Sequence, residues 1–193
     1  MTGPASPPPD APSDPLLALD RRSGLPEALR VLAEAFPRAD WEAHANFGEL
    51  VRFWMDRHLM FRRILAALHD DALALEAGQL DPQRHGARLV RYGGLLVNEL
   101  HHHHQIEDHH YFPQLVGLVP EIDRAFDLLE TDHEAIDPML HDLAGQMNAV
   151  LREGGPVGAL DEALMRFERL LDRHLTDEEE IVVPVILKSG FVG

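Results

Sequence analysis

Thirteen histidines in a chain of 193 residues without a single cysteine define the chemistry open to this sequence. Imidazole binds transition metals and titrates near neutral pH, whereas thiolate zinc sites, iron–sulfur clusters, disulfides and thiol catalysis all need the missing residue. Four pairs place a carboxylate four residues after a histidine: His103/Glu107, His104/Asp108, His133/Asp137 and His174/Glu178. On a helix that spacing offers a metal one nitrogen and one oxygen from the same face. Random placement produces roughly 2 such pairs, so position carries the argument rather than number. His58, His103, His133 and His174 each interrupt the apolar stripe of a different predicted helix, where an ordinary core residue would be leucine. Buried imidazoles and carboxylates need partners, and four such interruptions together point to a metal site.

The second and fourth helices carry the same module. His103-x-x-x-Glu107-Asp108 is followed by Pro113, and His174-x-x-x-Glu178-Glu179 by Pro184, each proline ten residues after its histidine. Two such modules, with histidines from the other two helices, would surround a pair of metal ions with nitrogen and bridging oxygen. That donor mix suits iron, manganese or zinc better than copper(I) or calcium. His104/Asp108 lies about 100° around the helix from its neighbour, which assigns it at most an orienting role behind the ligands. His101, His102 and His109 point away from the stripe, and His44 is about 21 Å from His58 along a helix. Arg62 and Glu99 sit one turn from His58 and His103, where each would orient a ligand or close the bundle end.

The elements that must position these groups follow from periodicity. Residues 1–15 hold six prolines and read as a disordered tail, followed by one short helix near 26–35. From Trp41 a strong 3.6-residue period sets in, so a first long helix is expected over about 42–76 and a second from about 82 toward Gly117. A third runs from Pro120 to Gly154, with Pro138 expected to kink it, and a fourth starts near 157 with Pro184 marking its far end. Strand signals are nearly absent. The expectation is an all-α fold, an up-down-up-down four-helix bundle over 41–190 with the tail and short helix as a separate region, 1–40. In such a bundle, residues equally distant from a turn share a level. With turns centred near Leu80, Val119 and Gly154, the distances are 22 and 23 residues for His58 and His103, 16 and 14 for His103 and His133, and 21 and 20 for His133 and His174. The four histidines converge on one layer.

A net charge of -16, from 33 acidic and 17 basic residues, argues against nucleic acid and anionic lipid as partners. No apolar stretch reaches the roughly 18–20 residues of a membrane span and no leader pattern opens the chain, so a soluble cytoplasmic protein is expected.

His58 with Phe61-Arg62-Arg63, His103 through Asp108 and on to Tyr111-Phe112-Pro113, Asp132-His133, and His174 through Glu178-Glu179 to Pro184 together resemble the hemerythrin-like family of cation-binding four-helix bundles, over about residues 44–187. The resemblance implies a di-iron site that binds dioxygen or a related small molecule, with nitric oxide and peroxide as the other candidates, and zinc or manganese as alternative metals. Carried over, Glu107 and one of Glu178 or Glu179 would bridge, with His58, His103, His133 and His174 as terminal ligands. The oxygen-carrying members supply two histidines four apart from the third helix, whereas here Asp137 follows His133 and precedes Pro138. Asp137 would then ligate, or His110 would replace the missing histidine. That departure argues against reversible oxygen carriage and leaves a binding protein for sensing, storage or protection as the expectation, with a di-iron oxidase or peroxide-decomposing enzyme on the same ligands, or a structural ion, as the alternatives.

Overall fold

Gly48, in an extended conformation, delays the start of the first long helix to Glu49, although the apolar stripe begins earlier. The expected start at 42 falls instead in a 3-10 turn, Arg38–Ala43. The loop between them is tied to the far end of the chain by Asn46, whose side-chain amide donates to the Leu187 carbonyl at 2.8 Å. The structure, a computed structural model, describes residues 17–193, so the segment expected to be a disordered tail lies outside the described residues. The helices in chain order are α1 (Val31–Ala35), α2 (Glu49–Glu76), α3 (Pro82–Ile106), α4 (Phe112–Leu118), α5 (Asp123–Glu153) and α6 (Val157–Ser189). Among the described residues there is no strand.

Local chemistry fixes the boundaries. Asp81 caps α3 by accepting from the Arg84 amide at 3.0 Å, with Pro82 in the first turn where its missing N–H costs nothing. Gly154 (φ 61°) and Gly190 (φ 70°) end α5 and α6 in the left-handed conformation that glycine adopts without strain. Pro184, expected to mark the end of the fourth helix, lies inside α6, which runs on to Ser189. Pro138 likewise lies within α5. The short helix expected near 26–35 is a 3-10 turn, Glu27–Leu29, followed by α1.

The four long helices pack as a ring in which α2 touches α3 and α6, and α5 touches α3 and α6. Their core is in two parts. One contains Trp54, Phe112, Phe126 and Ile186; the other contains Phe61, Leu96, Leu143 and Phe167. Burial of each large apolar side chain contributes about 1.5–3 kcal/mol, which identifies these clusters as the source of stability. Residues 17–48 pack on the first cluster through Leu25, Leu32 and Trp41 and on the second through Leu19. Between the two clusters the stripe turns polar.

Candidate metal centre

The polar layer comes from four helical segments. His58 stands on α2, His103 and His104 on the last turn of α3, Asp132 and His133 on α5, and His174, Asp177, Glu178 and Glu179 on α6. Glu107 follows α3 at the start of a π-helical turn, Glu107–Tyr111. This wide turn replaces the single continuous second helix expected from the sequence. Pro113 follows it and has no N–H to close a regular turn onto His109. Side chains take up carbonyls of this stretch, with His109 Nδ1 donating to Gln105 O at 2.9 Å and Gln114 Nε2 donating to His110 O at 2.8 Å. The extra residue keeps both Glu107 and Phe112, five apart, facing inward.

Two groups of donor atoms, each within 4.8 Å of one another, form in this layer: His58, His103, Glu107 and Glu178, and His104, His133 and His174. Imidazole nitrogens face one another in pairs, His58 Nε2 and His103 Nε2 at 3.2 Å, and His133 Nε2 and His174 Nε2 at 3.2 Å. Each carboxylate spans both groups. Glu178 Oε1 lies 3.3 Å from His58 Nε2 and its Oε2 lies 3.3 Å from His174 Nε2. Glu107 Oε1 lies 3.0 Å from His103 Nε2 and its Oε2 3.7 Å from His133 Nε2. Trp54 Nε1 donates to Glu178 Oε1. His104 stacks on His133 with ring centroids 4.0 Å apart.

Behind the inward nitrogens, carboxylates hold three of the rings. His58 Nδ1 is 2.9 Å from Glu179 Oε1, His133 Nδ1 is 2.6 Å from Asp108 Oδ1, and His174 Nδ1 is 3.2 Å from Asp132 Oδ2. This arrangement fixes the tautomer and aims the Nε2 lone pair into the layer. Glu179 is itself held by Arg62 Nη1 at 2.7 Å.

The donor set fits a metal ion. Both nitrogens of His104, both oxygens of Glu107 and Glu178 Oε2 are buried with no hydrogen-bond partner. Buried polar atoms without partners cost free energy, and a cation held among them would recover it. Two nitrogens bound to one ion at about 2.1 Å stand about 3.0–3.4 Å apart at octahedral or tetrahedral angles, which the 3.2 Å pairs match. Without a cation the groups share protons unevenly. Burial, then the neighbouring Glu178 charge, pushes Glu107 well above the usual carboxylate range. Burial also acts on Glu178, but His58 and His174 outweigh it and hold its pKa well below that range. Burial drives His103 down to about 3 with help from the other imidazoles, whereas on His174 burial is outweighed by Asp132 and Glu178, which raise it to about 9. Burial of Glu179 is outweighed by His58 and Arg62, leaving it at about 2.

Of the residues singled out in the sequence, His58, His103, Glu107, His133, His174 and Glu178 come together in the layer. Glu179 is buried but turned outward onto His58 Nδ1 and Arg62. Asp137 and His110 are exposed and lie outside both groups. Asp137 lies 3.8 Å from His101. Glu99 pairs with Arg57 at 2.9 Å and closes the helix flank. His104, read as an orienting residue at most, belongs to the second group. Its place about 100° from the stripe that carries His103 gives no sign of this in the sequence.

Fold and site define a helical bundle that buries a layer of five histidines and two spanning carboxylates, a cation-binding arrangement. The family model of the hemerythrin HHE cation-binding domain matches residues 49–186, and the chain belongs to that family. No curated protein and no solved structure matches it.

Proposed function

We propose that this chain is a non-haem di-iron protein that binds dioxygen, nitric oxide or peroxide for sensing, storage or protection. The observation that carries the reading is the pair of carboxylates, Glu107 and Glu178, each spanning two histidine groups. His58 and His103 would hold one ion and His104, His133 and His174 the other, with both carboxylates shared. The links at 77–81 and 154–156 are short enough to support an up-down-up-down order for the bundle. When bound, an iron pair supplies an open coordination position and electrons to a small ligand. The protein's part is to gather five imidazoles, three of them in tautomers fixed by the carboxylates behind them, keep the layer dry between two apolar clusters, and admit a small molecule. The two-histidine group is the less filled, and its His103 side chain keeps 10 % exposure, which makes that edge the entry.

Full-length protein loaded anaerobically with ferrous iron is expected to bind about two ions per chain and to change its absorption spectrum when oxygen, nitric oxide or peroxide is added. Reversible, stoichiometric change identifies a binding protein, and sustained consumption of oxygen or peroxide identifies an enzyme on the same site. Zinc or manganese held without any gas-dependent spectrum, or no metal at all, overturns the reading.

A further inference from the structure

The residues that precede the family match do more than cover the bundle. Arg22 belongs to the arm of residues 17–48, outside the matched 49–186, yet its side chain is only 3 % exposed. Its Nε donates to Asp177 Oδ2 at 2.7 Å, its Nη1 to Asp132 Oδ1 at 2.7 Å and to the Leu17 carbonyl at 2.9 Å, and its Nη2 to Asp132 Oδ2. Asp132 Oδ2 is the atom 3.2 Å from His174 Nδ1, and the other nitrogen of His174 faces the donor layer. An unbroken chain of three side chains therefore runs from the arm to the layer. A second contact reaches the other side of the layer: Nη1 of half-exposed Arg38 lies 2.6 Å from Glu179 Oε2, while Glu179 Oε1, 2.9 Å from His58 Nδ1, accepts from Arg62 at 2.7 Å. The two end on different donor groups, His174 on the three-histidine group and His58 on the other.

We propose that the arm is a working part of the metal centre and that Arg22 is a positioning residue, fixing His174 through Asp132; this rests on the metal-binding reading above. The guanidinium grips both oxygens of Asp132, which fixes the plane of that carboxylate as a lysine ammonium cannot. Without Arg22, Asp132 and Asp177 are buried carboxylates that have lost a shared countercharge. Asp132 is then free to turn away, and the His174 Nδ1–H loses its acceptor. The arm itself stays docked, because Leu19, Leu25, Leu32 and Trp41 hold it by apolar contact. Substitution of Arg22 therefore separates positioning from packing.

The test uses the full chain and cobalt(II), whose visible absorption reports the ligand geometry of each ion. Loss of an orienting partner behind a metal ligand typically costs about 10–100-fold in affinity. Arg22→Gln is expected to weaken one of two bound cobalt ions by that factor in competition with a chelator and to alter its absorption band, while the other ion is retained. Arg22→Lys is expected to recover part of the affinity. Circular dichroism and the thermal midpoint of the metal-free variants report folding. Should Arg22→Gln not fold, Arg22→Gln with Asp177→Asn removes one of the charges that Arg22 balances and carries the same test. Wild-type affinity and spectrum in the folded variant overturn the inference and leave the metal reading standing. A wild-type protein that binds neither cobalt nor iron overturns both.

Discussion

His104 and His110 lie six residues apart on the same stretch of chain and lead to opposite predictions. His104 is 3 % exposed, stacks on His133 and has neither nitrogen hydrogen-bonded, whereas His110 projects into solvent. His104→Ala is therefore expected to lower bound iron by about half, because it removes a nitrogen from the three-histidine group. His110→Ala and Asp137→Ala are expected to leave iron content unchanged; metal analysis of the folded variants decides. Equal iron in His104→Ala and wild type would remove His104 from the ligand set. The periodicity of the sequence was enough to bring His58, His103, His133 and His174 to one level, since a residue that breaks an apolar stripe must face the interior. It was not enough for His104, because a single stripe per helix assumes one inward direction. At this layer α3 presents two adjacent residues to two different neighbours: His103 stands against His58 and Phe61 of α2, and His104 against His133 of α5. His110 failed for a related reason, since three residues from Glu107 is the same face only on a regular helix, and this stretch is a wide turn.

At the scale of elements, helix existence was legible and helix continuity was not. Glycine and proline signals located the links at 77–81 and 154–156 because those residues act locally. The wide turn at 107–111 and the passage of α6 through Pro184 depend on what surrounds the backbone. Pro184 sits in a run from Ile181 to Leu187 that is buried throughout, and packing on every side outweighs one missing hydrogen bond. Where α3 meets α5, Gly93 makes room for the Met147 side chain. A Cβ on Gly93 would stand 2.4 Å from Met147 Sδ, inside contact distance, whereas one on the neighbouring Gly94 meets nothing within 4 Å. Gly93→Val is expected to force the helices apart or displace Met147 at a cost of about 1–3 kcal/mol. Gly94→Ala, on the exposed face of the same helix, is expected to stabilise by about 0.5–1 kcal/mol through reduced backbone entropy of the unfolded chain. Urea unfolding midpoints with unchanged slopes test both, and equal effects at the two positions would refute this account of the interface.

For the whole molecule, stability and function occupy different layers. Two apolar clusters lie on either side of the histidine layer, and each supplies burial that does not depend on a cation. The layer itself sets buried carboxylates and imidazoles close together, with five donor atoms in Glu107, Glu178 and His104 lacking a partner. Removing metal should therefore leave the helices formed while withdrawing the favourable interactions that offset burial of the layer. A ligand present at about 1,000 times its dissociation constant stabilises by about 4 kcal/mol, and a domain of this size gains about 2–4 °C in Tm per kcal/mol. Metal-loaded protein is accordingly expected to melt about 8–16 °C above the chelated form, with the far-ultraviolet circular dichroism of the two alike at 25 °C. Glu107→Gln sharpens the comparison. Both Glu107 oxygens lack hydrogen bonds in the metal-free arrangement, so the amide loses nothing there, and the Tm of the chelated variant should match that of the chelated wild type. The increment on adding metal should shrink, because a neutral amide is a poor substitute for a carboxylate spanning two ions. A chelated variant that melts well below chelated wild type would mean that Glu107 stabilises the fold directly, and an unchanged increment would mean that it does not touch the metal.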